Sequence, residues 1–112
     1  MGTRQTVQAP VEIDESQAMA AAEVLKSIAH PLRLRILCVL SGQEQHVKGL
    51  AESLQVPSAI VSQQLRILRS AALVSASTRD GHAYYRIVEP HLFRMLNCVE
   101  TCITARAARG ER

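Results

Sequence analysis

Residues Val56–Leu73 read V-P-S-A-I-V-S-Q-Q-L-R-I-L-R-S-A-A-L, and the rest of the fold is read outward from them. Val61, Leu65, Leu68 and Ala72 recur at helical spacing and predict a buried stripe on a helix from about Ser58 to Ala71. Ala59, Ser62, Gln63 and Arg66 form the opposite face, small and polar with one cation and no acid. Val56-Pro57 breaks the chain just before this helix, because the residue preceding proline is driven out of helical conformation.

Upstream, Val47, Leu50, Ala51 and Leu54 predict a short helix that ends at that break. Before it, P-L-R-L-R-I-L-C-V-L at Pro31–Leu40 reads as a helix begun by proline and ended by Gly42. An earlier helix from Ser16 carries Ala18, Ala21, Ala22, Leu25, Ile28 and Ala29 on one face. Downstream the period falls to two. Leu73–Thr78 and Ala83–Val88 flank Arg79-Asp80-Gly81-His82, and Asp-Gly between strand-like runs predicts a hairpin. A last helix follows Glu89-Pro90, with Leu92, Met95, Leu96, Val99 and Ile103 in register. The expected organisation is a flexible arm over residues 1–15, one folded domain over 16–105, and a basic, fraying tail over 106–112.

The chain has 112 residues, of which 47% are hydrophobic, so one folded domain is expected. Its apolar residues are mostly small, with one Phe, two Tyr and no Trp. A small domain buries a limited share of its surface, and alanine adds little at roughly 25 cal/mol per Å². A second copy of the chain is therefore expected to cover part of the apolar surface. The net charge of +3 favours an anionic partner only weakly. No apolar run approaches a membrane span, and residues 1–11 lack the apolar core of a signal peptide. With three cysteines, an odd number, the expected setting is a reducing cytoplasm, without a closed disulfide framework.

Two short helices joined by a tight turn, followed by a basic hairpin, give the order of a winged helix-turn-helix: mainly α, with a β-hairpin wing. A helix entering the DNA major groove needs small residues where it approaches the bases and hydrogen-bonding or cationic residues where it reads them. Ser58, Ala59, Ser62, Gln63 and Arg66 meet that need, and Arg79 and His82 at the hairpin tip suit an adjacent phosphate or the minor groove. The competing reading is a solvated helix face beside an ordinary hairpin.

Four stretches together resemble the ArsR/SmtB family of small dimeric winged helix-turn-helix repressors. They are L-K-S-I-A-H-P-L-R-L-R-I-L at Leu25–Leu37, V-S-Q-Q-L-R-I-L at Val61–Leu68, A-A-L-V at Ala71–Val74, and R-D-G-H-A-Y-Y-R-I at Arg79–Ile87. The resemblance spans roughly Val24–Cys102, and Gln64 stands where the family commonly has His. It implies a homodimer through the first and last helices, bound to an inverted repeat of double-stranded DNA and released by an inducer, with no required cofactor.

The resemblance also frames the sensing site. The family's thiol pair ahead of the recognition helix is absent, since His46 and Lys48 occupy those positions and an ammonium is no ligand for a soft metal. In the family's zinc-type site across the dimer, Glu89, His91 and Cys102 fall at three ligand positions and Ala105 at the fourth. The nearest resemblance is to the branch that senses reactive sulfur or oxidants, through Cys38 in R-L-R-I-L-C-V-L. That branch places its second cysteine near Thr104, two residues or about 200° of helix beyond Cys102.

Independently of any family, Cys98 and Cys102 lie four residues apart, about 40° from each other on one helical face. They suit a soft metal or metalloid ion such as arsenite, with Cys38 as a third thiol, or redox chemistry, or simple packing as small hydrophobes. An enzyme with a cysteine nucleophile would need a base and an oxyanion site, and no ordered Cys/His arrangement or Gly-rich loop accompanies Cys38. A winged helix that binds only protein is the other rival. Salt-dependent affinity for duplex DNA separates it from the DNA-binding reading.

Overall fold

The computed structural model describes residues 8–111; residues 1–7 of the expected arm lie outside that range. Helix α1 (Glu15–Ile28) is started by a capping box. The Asp14 carboxylate accepts the Gln17 N–H at 2.8 Å, and the Gln17 side chain accepts the Asp14 N–H at 2.9 Å. Helix α2 (Pro31–Leu40) has proline in its first turn and is capped by His30, whose Nδ1 accepts the Leu32 N–H at 3.1 Å. Then come β1 (Gln45–His46), α3 (Val47–Leu54) and α4 (Ser58–Ser70), the hairpin β2 (Val74–Arg79) and β3 (His82–Ile87), and α5 (His91–Ala108).

The expected hairpin is present, its strands displaced by about one residue from the apolar runs. Asp80 and Gly81 both take positive φ, +51° and +81°, as a two-residue turn matched to strand twist requires. The sheet also has a third strand that periodicity did not reveal. Its order is β1-β3-β2, antiparallel, with Gln45 opposite Tyr85 and His46 opposite Tyr84.

The core lies among α2, α3, α4 and the sheet. Ile36, Leu37, Leu50, Val61, Leu65 and Leu68 have no exposed surface, and Leu54, Leu73, Val74 and Ile87 close around them. Ala72 is a correction to the expected stripe. It lies beyond the end of α4 with φ +60°, exposed, while Leu73 takes the buried place. The Leu73 N–H reaches back to the Leu68 carbonyl at 3.1 Å, closing the helix and leaving Ala72 on the outside of the turn. Helix α5 runs on to Ala108, so residues 106–108 of the expected tail are helical.

The two outer helices enter this core very little. Only Ile28 of α1 is buried, and only Leu92 and Leu96 of α5. Met19, Val24 and Leu25 on α1, and Phe93, Val99 and Ile103 on α5, are exposed in the single chain.

Candidate nucleic-acid interface

Helix α4 is held by its apolar stripe, so the opposite face is presented outward. Ser58, Ala59, Gln63 and Arg66 are exposed there, and Ser62 is half-buried at the edge. No acid lies in the helix, and Arg66 has no hydrogen-bond partner among the described residues. Arg66 borders an open groove together with Glu23, Val24 and Ser27 of α1. Pro57 gives no side-chain cap, so the first amides of α4 are not satisfied by a capping side chain.

The wing is more constrained than its sequence suggests. Arg79 forms an ion pair with Glu44 and stacks over the Tyr84 ring, 4.2 Å from its centroid. Both members of the pair are substantially exposed, so its net value is at most about 1 kcal/mol. A phosphate can therefore compete for Arg79. His82 stands at the start of β3, its ring 5.6 Å from that of His46. The His46 Nδ1 accepts the Gly49 N–H at 2.8 Å and so caps α3.

One cation at this surface escaped the reading of the motif. Lys48, in the first turn of α3, borders a cleft with His46, Ser58 and His82, between the wing and the start of α4. In sequence it is noticeable only as a residue unable to bind soft metal. Its position beside the recognition helix comes from the fold.

The three cysteines are free thiols, and all three are exposed in the single chain. Packing as buried small hydrophobes is therefore not their state within one protomer. Cys98 and Cys102 share an open depression on α5 with Arg94, Asn97 and Thr101. Glu89 and His91 are engaged with each other. The Glu89 carboxylate accepts the His91 backbone N–H at 3.0 Å and lies 2.8 Å from Nδ1. These contacts, the backbone one foremost, hold the Glu89 carboxyl below its ordinary value. Glu89 thus caps the start of α5 where Pro90 offers no side-chain cap. Among the described residues no group of three or more His, Cys, Asp or Glu is arranged to hold a metal ion. Neither Glu89, His91 and Cys102 nor the three thiols form such a group in one chain.

The helix pair α3–α4, the flanking helices and the three-stranded wing define a winged helix-turn-helix protein. Residues 30–76 match the family described as "Bacterial regulatory protein, arsR family". The chain is 36% identical over 92 residues to the "Transcriptional repressor SmtB homolog" of Synechocystis sp., covering 82% of this chain and 68% of that one. The protein belongs to the arsR family.

Two solved structures show the same architecture. The AntR antimony-specific transcriptional repressor superposes with TM-score 0.78 at 26% identity, over 97% of this chain and 98% of that one. The homodimeric winged helix-turn-helix domain of Mb0332 from Mycobacterium bovis, described as a possible ArsR-family transcriptional regulator, gives 0.73 at 26%, over 90% and 94%.

Proposed function

We propose that the protein is a cytoplasmic transcriptional repressor that binds an inverted-repeat operator as a homodimer and leaves it when its cysteines meet a thiophilic inducer. The observation that carries DNA binding is the outward face of α4, free of acids, with the Arg66 side chain unpaired among the described residues and with Lys48 and His82 beside Ser58 at the start of the helix. In this reading Ser58, Ala59, Ser62, Gln63 and Arg66 enter the major groove, and Arg79 and His82 meet the backbone beside it. The exposed apolar faces of α1 and α5 support a dimer. A 14-residue helix with a single buried side chain has little to stabilise it alone.

Sensing is assigned to Cys38, Cys98 and Cys102, which are accessible thiols in the single chain. The inducer is a soft metal or metalloid ion bound by thiolates, or an oxidant or reactive sulfur species that takes up the two electrons released when two thiols join. The similarity to a repressor named for antimony, a thiophilic metalloid, favours the first. Since no three-ligand group is gathered among the described residues of one chain, the metal site in this reading draws on both protomers. The zinc-type alternative through Glu89, His91 and Cys102 does the same.

The test combines intact mass spectrometry with DNA release after arsenite, antimonite, cadmium, zinc, peroxide or a persulfide donor. A mass adduct or loss of thiols that accompanies release is expected, and Cys38→Ser should bind DNA normally yet resist release. Normal release of that variant removes Cys38 from the sensor. Failure of every reagent to modify, bind or release the protein refutes thiol sensing.

A further inference from the structure

Arg33, near the start of α2, uses its guanidinium on three partners in two other elements. Its Nε donates to the Ser27 carbonyl at 2.6 Å, and one terminal nitrogen donates to the Lys26 carbonyl at 3.4 Å. The other donates to Gln64 Oε1 at 2.7 Å. Ser27 and Lys26 lie in the last turn of α1, whose final carbonyls lack helical partners. Gln64 lies on α4, half-buried between its apolar stripe and its outward face. Beside this bridge, α1 and α4 border an open groove of about 540 Å³ lined by Glu23, Val24, Ser27, Arg66 and Ile67. Ile28 is the one side chain of α1 buried in the core, so packing anchors this helix only at the end where the guanidinium also holds it. A planar guanidinium with donors in a rigid fork is suited to set the distance between the two helices.

We infer that Arg33 and Gln64 are positioning residues that fix the recognition helix relative to α1. Resting on the dimeric DNA-binding reading above, the pair sets the separation and rotation of the two recognition helices across the dimer, and so the half-site spacing that the protein accepts. Neither residue is required to touch a base for this. Gln64 supplies the acceptor oxygen, and Arg33 carries the constraint to the dimer-forming helix.

The experiment uses the full chain and an inverted repeat selected from a random DNA pool by the wild-type protein. The same repeat with one base pair inserted or deleted at its centre rotates the half-sites by about 35°. The wild type is expected to bind the selected repeat at least tenfold more tightly than either altered one. Gln64→Ala should narrow that ratio to about threefold or less while it remains folded and dimeric, by circular dichroism and dimer mass, at the binding temperature. Gln64→Glu, which keeps an acceptor for Arg33, should restore the ratio even if the added charge weakens binding to all three duplexes. Arg33→Ala in the Gln64→Ala background should lower the ratio no further.

Wild-type spacing selectivity in Gln64→Ala overturns the inference. So does loss of selectivity in Gln64→Glu to the same degree as in Gln64→Ala, or an additive loss in the double variant. A wild type that selects no repeat at all refutes the DNA-binding reading on which the inference rests, and is told apart by that control.

Discussion

The body of the molecule and its two outer helices obey different rules. Around α2, α3, α4 and the sheet, the chain satisfies itself: Ile36, Leu37, Leu50, Val61, Leu65 and Leu68 are wholly enclosed, and no polar or charged residue is buried among the described residues. On α1 and α5, Leu25 and Ile103 are more than half exposed although they continue apolar stripes. A stripe that repeats at helical spacing but finds no partner in its own chain calls for a surface outside it. The contrast separates residues that make the fold from residues that the fold presents.

The largest effect tests the body. Leu65→Ala should lose about 2–5 kcal/mol of unfolding free energy, because a fully enclosed side chain leaves a cavity. Denaturant melts would show this at every protein concentration. If Leu65 proves as tolerant as a surface residue, the division between body and outer helices is wrong.

Ile103→Asp tests the other side. Burying an unpaired carboxylate in a dimer contact should cost about 3 kcal/mol, near a hundredfold in the dimer dissociation constant. Sedimentation equilibrium should then find monomer that is still folded. An unchanged dimer would place the contact elsewhere than on this face of α5.

Arg66→Ala should weaken operator binding by about 1–3 kcal/mol and relax base preference at one position per half-site. Titration against a panel of single-base variants reads both. An equal loss on all sequences would make Arg66 a phosphate contact instead.

The smallest effect lies at the junction of body and outer helix. The Glu89 carboxyl is lowered by the His91 backbone N–H and side chain, so its ionised form favours the folded state. That contribution is fully present above the ordinary value of 4.5 and is lost as pH falls through the lowered one. The melting-temperature difference between wild type and Glu89→Gln should be visible at pH 6 and shrink with acid. A difference that is constant with pH would show that the carboxylate charge contributes nothing to this cap.

Most of the body was readable because its signals are local. Pro31 and Gly42 bracket α2, Asp80-Gly81 demands the turn, and Val61, Leu65 and Leu68 keep one period. What escaped has no period. A strand of two residues such as β1 shows no alternation, and its partners lie some forty positions away in β3. Ala72 continues the stripe of α4 by count alone, while the backbone leaves the helix at Ala71.

At the interface, the outward face of α4 followed from its stripe, but pairings across distance did not. Arg79 with Glu44 and Arg33 with Gln64 join residues more than thirty positions apart. The cysteines fall between these cases. Spacing puts Cys98 and Cys102 on one face, which the shared depression on α5 matches. Their relation to Cys38 is one between two helices, α2 and α5, which no period within a single helix encodes.

Native mass spectrometry of the reduced protein with its selected inverted repeat tests the central claim most directly. Two chains per duplex are predicted, with affinity falling steeply as salt rises from about 50 to 200 mM, since counterions leave the phosphates on binding. One chain per duplex, or affinity indifferent to salt, would contradict a dimer that places one recognition helix in each half-site.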